Sequence, residues 1–246
     1  MTYREGAEKY YDLFGAKDDV PFYIDLAMRH GSKALELGIG TARLAIQLAR
    51  AGVETWGIDN SPHMIRAALT NLSKEQPEVR QLVHLEQADV RNFDLGERFG
   101  LIYFPSFSFD HLLTHEDQAL ALRCIRKHVA PDGIYAFDLS NVVERDSGWF
   151  VQRKLLDNKS TVVRLGFHKT CPNKRQMSMD IWYELYKEGR MMERYHEGGE
   201  VFIHSAESIK QLLEENGFRI NVIFGGHDRR TFTEDCEMMV IIAEPV

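Results

Sequence analysis

Short apolar runs alternate with helical patterns between residues 33 and 139, and this alternation limits the fold more than any other feature of the sequence. A strand, helix, strand order at this spacing is typical of parallel strands joined by helical crossovers. Two further apolar runs follow a helical pattern near the C-terminus. We therefore predict an α/β fold with a doubly wound, mostly parallel seven-stranded sheet. The predicted strands are 33–38, 53–59, 82–89, 100–105, 133–139, 219–225 and 236–244, and the predicted helices between them are 41–51, 62–73, 115–129 and 205–218.

A β insertion is predicted after the fifth strand, because residues 150–204 alternate apolar and polar side chains with a period of two. The stretches STVVRLGFHKT, RQMSMDIWYELYK and MMERYHEGGEVFIH predict three long antiparallel strands, with turns near 172–173 and 188–189. An insertion of this kind is expected to form a lid or a dimer contact. Two helices, over 4–14 and 19–30, lie in the segment 1–32 that is expected to cover a pocket. We treat residues 1–246 as a single domain.

Local signals mark three of the predicted helix starts. Ser61 is a good N-cap and Pro62 follows at the first helical position. Thr114 can cap the helix over 115–129. Ser205 can cap the last helix, although Ser208 does not complete the usual capping box.

Charge and cysteine content disfavour several classes of protein without excluding a nucleic-acid partner. The net charge of −7 argues against a polynucleotide partner, since nucleic-acid binders usually carry a basic face. The three cysteines lie far apart and form neither metal-ligand spacing nor a disulfide framework, so we expect no metal and a reducing, cytoplasmic location. No signal-like apolar core and no apolar run of roughly 18 residues occurs, which predicts no membrane span.

The stretch KALELGIGTARLA packs Gly38 and Gly40 into a turn between a strand and a helix. Such a turn points backbone N–H groups at a ligand, although it can also be a plain tight turn. A dinucleotide fingerprint requires a third glycine at the position of Arg43, so a nicotinamide or flavin oxidoreductase is disfavoured. Asp59 and Asp89 follow at the ends of the next two strands, where they could bind an adenosine group, cap a helix or face solvent.

Four stretches together resemble the motifs of class I S-adenosylmethionine-dependent methyltransferases, whose fold is Rossmann-like: ALELGIGTARLA, GIDNSPHMIRAA, LEQADVRNFDL and HVAPDGIYAFDL. The resemblance implies S-adenosylmethionine as the cofactor, with Glu36 near its amino acid group and the two glycines beside its methionyl part. It also implies that Asp59 holds the ribose and Asp89 the adenine amino group. The full set of predicted cofactor-binding residues is Glu36, Gly38, Gly40, Asp59, Asn60, Met64, Ala88, Asp89, Val90 and Pro105.

The loop FPSFSFDHLLTHEDQ, residues 104–118, follows the fourth strand and is expected to lie over the transferred methyl group. It lacks the Asn/Asp-Pro-Pro-aromatic pattern of enzymes that methylate nucleobase amino groups. Together with YYDLF near the N-terminus, it resembles sugar N,N-dimethyltransferases and glycine N-methyltransferase-like enzymes. That resemblance implies catalytic roles for Tyr11 and His111, with His111 as a general base. The alternatives to catalysis are purely structural: Tyr11 could be a core contact of the first helix, and His111 could hydrogen-bond a backbone group at the start of a helix.

Acceptor binding is predicted for Phe107 on this loop and for Arg164, Arg194 and His196 on the insertion, although the insertion residues could instead face solvent. The predicted function is methyl transfer from S-adenosylmethionine to a nitrogen or oxygen of a small molecule, with a homodimer as a further expectation. The alternatives left open are a tRNA or rRNA methyltransferase and a non-catalytic protein that binds the same cofactor.

Overall fold

The computed structural model describes residues 6, 8–15, 18–31, 33–141, 148–157, 159–171 and 175–246. The helices are α1 (Glu8–Phe14), α2 (Asp19–His30), α3 (Arg43–Arg50), α4 (Pro62–Leu72), α5 (Pro77–Gln81), α6 (His115–His128) and α7 (Ala206–Glu215), with one 3₁₀ helix at Ser108–His111. The strands are β1 (Lys33–Leu37), β2 (Glu54–Asp59), β3 (Val83–Gln87), β4 (Phe99–Phe104), β5 (Val129–Ser140), β6 (Gly148–Leu155), β7 (Ser160–Cys171), β8 (Gln176–Lys187), β9 (Arg190–Phe202), β10 (Phe218–Phe224) and β11 (Met238–Pro245).

Seven strands form the main sheet in the order β10-β11-β5-β4-β1-β2-β3. Strand β11 runs antiparallel to both of its neighbours, and the other pairs are parallel. From β1, the strands β2 and β3 follow toward one edge of the sheet, whereas β4 and β5 follow toward the other edge. The carboxyl ends of β1 and β4 therefore lie side by side at the point where the strand order changes direction. This arrangement confirms the predicted doubly wound, mostly parallel sheet and places a crevice at its carboxyl edge.

Helices cover both faces of this sheet, because each carries an apolar stripe that is buried against the strands. Leu122 of α6 and Leu213 of α7 belong to the core on one face. Leu26 of α2 and Leu48 of α3 belong to the core on the other. Burial of each such leucine contributes roughly 1.5 to 3 kcal/mol.

The insertion forms a separate antiparallel sheet in the order β6-β7-β8-β9. It has four strands where three were predicted. Strand β6 escapes the sequence pattern because most of its side chains are exposed and its polar residues do not follow a regular alternation. The turn at Glu188 and Gly189 is confirmed, and both residues have positive φ. The turn predicted near 172–173 falls in positions 172–174, outside the described residues.

The inner face of this second sheet packs on α1. Tyr10 of α1 joins Val162, Ile181 and Tyr183 in a small hydrophobic core. The outer face and the edge strand β6 expose Trp149, whose side chain is 66% accessible. A lid function or a dimer contact for this sheet stays a prediction.

Helix starts agree with the local signals, with one correction. Ser61 accepts a hydrogen bond from the Met64 N–H, and Thr114 caps α6 in the same way. The capping box that was not expected at α7 is present: the Ser205 and Ser208 side chains each accept from the backbone N–H of the other. A serine hydroxyl in place of the usual glutamate therefore satisfies both donors.

The short helix α5 and the 3₁₀ helix were also not predicted, since each is too short for a periodic pattern. The first helix begins at Glu8 in the described residues, where 4–14 was predicted. Among the residues described, no helix is long and apolar enough to cross a membrane.

Candidate active site

The glycine turn after β1 opens its backbone toward a cavity at the carboxyl edge of the main sheet. Gly38, Gly40 and Ala42 have φ values of 63°, 55° and 63°, so every second residue is left-handed. A Cβ at Gly38 would lie 3.2 Å from the Phe104 ring, tighter than most such contacts. The turn therefore depends on glycine at its first position for both conformation and space.

Asp59 ties this turn to the end of β2. Its Oδ2 accepts from the Gly40 N–H at 2.9 Å, and its Oδ1 accepts from the Ser61 N–H at 2.8 Å. Burial raises the pKa of Asp59, and the two backbone hydrogen bonds oppose that shift. Each carboxylate oxygen has a second lone pair, so the group could still accept hydrogen bonds from ribose hydroxyls.

Asp89 lines the same cavity but is already paired. The Arg91 guanidinium donates to both of its oxygens, at 2.9 and 2.6 Å, and also to Asp117 at 2.8 Å. Hydrogen bonding from Arg91 lowers the pKa of Asp89, although burial opposes this. Sequence reasoning missed Arg91 and Asp117; the spacing Asp-Val-Arg was its available signal.

Glu36 is a buried acid near the carboxyl end of β1, with 3% of its surface accessible. The Tyr103 hydroxyl donates to its Oε2 at 2.9 Å. Burial raises the pKa of Glu36 to about 8, against the opposing effects of the Tyr103 hydrogen bond and the Arg43 charge. Arg43 itself turns to α2, where it pairs with both oxygens of Asp19.

The structure brings all the predicted cofactor residues together. The cavity is lined by Glu36, Gly38, Gly40, Asp59, Asn60, Met64, Ala88, Asp89, Val90 and Pro105. Apolar walls, a backbone turn and an acid with spare lone pairs fit an adenosyl group. The contact of each of these residues with the cofactor stays a prediction.

A second cavity adjoins the first and lies under the inner face of the four-stranded sheet. It is lined by Met177, Ile181 and Tyr183 of that sheet. Tyr11 and His111, together with Ser106, line both cavities. The two residues predicted to act in catalysis therefore stand where the cavities meet.

His111 lies at the end of the 3₁₀ helix, and its Nδ1 is buried without a hydrogen-bond partner. Burial lowers the pKa of His111 to about 4, although a hydrogen-bonding contact with the Glu200 backbone favours the charged form. The imidazole is therefore neutral at neutral pH. In a neutral imidazole one nitrogen carries the proton and the other accepts, so with the proton on Nε2 the Nδ1 atom would be the acceptor.

Two of the four predicted acceptor residues line the second cavity, namely Phe107 and Arg164. Arg164 donates to the neutral Gln152 side chain at 3.2 Å, and its guanidinium lies 5.3 Å from the centre of the Phe150 ring. Its Nε is buried without a hydrogen-bond partner. The guanidinium group of Arg164 is thus held in place by the uncharged side chains of Gln152 and Phe150.

Arg194 and His196 do not reach this cavity, which corrects the prediction for both. They share one face of β9 as expected, but it is the outer face. Arg194 pairs with Glu184 at 3.3 Å, and His196 lies 2.7 Å from Asp180. Both side chains also lie against the Trp182 ring.

The acidic lining of the second cavity was not predicted. Asp18, Asp19, Asp138 and Glu197 all contribute to its wall. These residues come from α2 and its entry, from β5 and from β9, so no local pattern connects them. Among the described residues, no group of three or more histidine, cysteine or acidic side chains could hold a metal ion.

Residues 34–133 match the family model of a methyltransferase domain. The chain is 22% identical over 225 residues to the putative methyltransferase YqeM of Bacillus subtilis, across 90% of this chain and 88% of that protein. It is 22% identical over 208 residues to the dTDP-3-amino-3,6-dideoxy-alpha-D-glucopyranose N,N-dimethyltransferase of Streptomyces fradiae, across 83% of this chain and 78% of that protein. The solved structure of the CcbJ methyltransferase from Streptomyces caelestis superposes with a TM-score of 0.84 at 19% identity, covering 100% of this chain and 98% of that one.

Proposed function

We propose that this chain, a class I S-adenosylmethionine-dependent methyltransferase, methylates an amine nitrogen of a small molecule held in the second cavity. The observation that carries the proposal is the junction of the two cavities at Tyr11 and His111. One cavity suits the methyl donor and the other is open to an acceptor. A direct displacement requires the two ligands to meet end to end, with water excluded between them.

The bound cofactor supplies an electrophilic methyl group. The acceptor nitrogen must present a lone pair to it, so it has to be a free amine in the complex. His111 Nδ1 can accept a hydrogen bond from the amine N–H, which aims the lone pair toward the first cavity. Its low pKa suits this orienting role better than that of a strong base.

Tyr11 presents an aromatic ring at the same junction. The face of a tyrosine ring attracts a cation, so the ring would favour the positively charged sulfonium of the cofactor. Among the acids in the wall of the second cavity, Asp19 and Asp138 already contact Arg43 and His227. Asp18 and Glu197 would add a local negative potential that draws an amine or ammonium group inward.

Arg164 and Phe107 supply the remaining acceptor contacts in this proposal. Arg164 is held by Gln152 and by ring contacts, so its fork is oriented before an acceptor arrives. A carboxylate or phosphate on the acceptor would match that fork. An amine at one end and an anionic group at the other would therefore be fixed in a single orientation.

The relatives support nitrogen over oxygen as the target. The Streptomyces fradiae protein is by its name an N,N-dimethyltransferase that acts on an amino sugar nucleotide. We take from it the class of reaction, and the sugar itself is one member of the panel to be tested.

The test has a binding arm and a turnover arm. Calorimetry should show binding of S-adenosylmethionine and none of NAD. A panel of amino acids, amino sugars, amino sugar phosphates and matched hydroxyl compounds is then assayed for release of S-adenosylhomocysteine. Methylation of amines alone supports the proposal, and methylation of hydroxyl compounds alone contradicts it.

Variants separate catalysis from simple binding of the cofactor. His111→Gln should bind S-adenosylmethionine normally and lose turnover, whereas Tyr11→Leu, which removes the aromatic ring, should weaken both cofactor binding and turnover. Arg194→Gln is the matched control, since Arg194 lies on the outer face of the second sheet. Full turnover in the first two variants would remove the assigned roles.

A further inference from the structure

The loop that carries His111 starts with an unusual backbone conformation. Ser106 and Phe107 both have left-handed φ, at 61° and 58°. Residues with a Cβ rarely adopt this region, and two in succession persist only where neighbouring groups hold them. The 3₁₀ helix Ser108–His111 follows at once, so the conformation of these two residues sets the position of His111.

Two carboxylates hold this loop against the end of β5, one reaching from each side. The Phe107 N–H donates to Oδ1 of Asp138 at 2.5 Å. In return, the Ser140 N–H donates to Oδ2 of Asp110 at 3.0 Å. Both acids are buried, with 1% and 0% of their surfaces accessible. We call Asp110 and Asp138 the carboxylate clasp.

The second oxygen of Asp138 has its own partners, which come from distant parts of the chain. The Tyr23 hydroxyl of α2 donates to Oδ2 at 3.2 Å. The Nε2 of His227, from the segment between β10 and β11, lies 3.2 Å from the same oxygen. Asp138 is therefore contacted by three donors from three separate elements, which leaves it little freedom to move.

His227 is the imidazole that contacts Asp138, and this contact affects its pKa. Burial by itself lowers the pKa of His227, but the hydrogen bond to Asp138 and its charge outweigh burial, with smaller contributions from Asp19 and Asp18, and the net shift is upward. A buried carboxylate without a cationic partner would be strongly disfavoured. The His227 ring therefore holds Asp138 on the side opposite Phe107. Burial raises the pKa of Asp110, and the nearby Asp138 carboxyl adds to that rise, against the hydrogen bond from Ser140.

We propose that Asp138 and His227 are positioning residues for His111. The pair fixes the clasp, the clasp fixes Ser106 and Phe107, and these place the His111 ring where it lines both cavities. The inference rests on the proposed function, because that function gives His111 its role. Asp138 and His227 also line the second cavity, so direct binding of the acceptor amine by Asp138 is the rival explanation.

The kinetic test compares Asp138→Asn and His227→Gln with the wild type, using any acceptor identified by the panel. Displacement of a reacting group by about 1 Å can cost on the order of 100-fold in rate. We expect kcat to fall by about tenfold to 100-fold, with the KM for the acceptor and the Kd for S-adenosylmethionine changed less than about twofold. If kcat is kept and the acceptor KM rises, Asp138 is a substrate ligand and the proposal is wrong.

His128→Gln is the matched control for loss of a buried histidine. His128 is 2% accessible and its Nε2 accepts from the Leu95 N–H, at the amino edge of the main sheet, away from both cavities. It should lose stability with kcat unchanged. An equal fall of kcat in His128→Gln and His227→Gln would show general destabilisation and overturn the proposal.

A spectroscopic readout does not depend on turnover. The imidazole ¹⁵N signals of His111, assigned by their absence in His111→Gln, should shift in His227→Gln and Asp138→Asn and stay in place in His128→Gln. Unchanged His111 signals in both site variants would refute the positioning role. If the wild type methylates no acceptor, the proposed function fails while this readout still decides the inference. If Asp138→Asn does not fold, His227→Gln carries both measurements.

Discussion

Replacement of Glu36 by glutamine should stabilise the cofactor-free protein, and more so as the pH rises. Glu36 is buried, and burial raises its pKa to about 8, from its ordinary value of 4.5. The unfolded chain releases this proton near pH 4.5, whereas the folded protein holds it until about pH 8. The folded state therefore binds more protons over that range, and its stability falls as the pH rises.

The size of the effect follows from the shift in pKa. One unit corresponds to about 1.4 kcal/mol, so the full cost of Glu36 is about 5 kcal/mol above pH 8. Between pH 5 and pH 8 the cost grows by about 3 to 4 kcal/mol. Glutamine keeps the shape and can still accept from the Tyr103 hydroxyl. Glu36→Gln should therefore be near neutral at pH 5 and stabilising by about 3 kcal/mol at pH 8.

The assay is urea unfolding of wild type and variant at both pH values without cofactor, because a bound ligand adds stability by mass action. Glu86→Gln is the matched control, since Glu86 on β3 is exposed. The control should show no such pH-dependent gain. A Glu36→Gln variant that is destabilised equally at pH 5 and pH 8 would refute the reasoning, as would a gain confined to pH 5.

Three further predictions concern the site and its surroundings. The His111 imidazole should titrate near pH 4 by NMR in the cofactor-free protein, because burial opposes its charged form, and a value near 6.5 would contradict its burial. Gly57→Ala should lower the free energy of unfolding by about 1 to 3 kcal/mol, since its Cβ would lie 1.9 Å from Ile39 Cδ1, and chemical denaturation that shows no loss would contradict this contact. Arg194→Gln and His196→Gln should leave kcat and KM within about twofold of wild type, as exposed ion pairs contribute little, and a larger change would return these residues to the acceptor site.

The clustering of the predicted cofactor residues in one cavity could be predicted, because these residues lie at the ends of neighbouring strands in a parallel sheet. Gly38, Asp59 and Asp89 each lie at or just beyond the carboxyl end of such a strand, and parallel strands end at the same edge. The exact register between neighbouring strands therefore has little effect on which residues reach this edge. The prediction omitted the charge balance at Asp89, because the pairing of Arg91 with Asp117 joins residues from separate elements.

The second cavity, which we propose holds the acceptor, was less predictable, because its lining residues come from elements that are distant in the sequence. The alternation in β9 correctly places Arg194 and His196 on one face. It cannot say which face is inward, since that depends on the packing of Tyr10 from α1 against the other side. The hydrogen bond from Phe107 to Asp138 could not be predicted from the sequence for the same reason, because 31 positions separate the two residues.

The two cavities take their walls from different parts of the chain, and this divides the protein for the purposes of evolution and engineering. Apart from Tyr11, the first cavity, which we propose holds the methyl donor, is lined by residues between 36 and 117. The far wall of the acceptor cavity is built from the second sheet, including Met177, Met179 and Ile181. Under the proposed function, mutations at those three positions should alter the size and chemistry of the acceptor space and leave the donor contacts untouched. A combinatorial library confined to them would then be a direct route to new acceptor ranges, and natural drift in this sheet would diversify acceptors while the methyl donor stays the same.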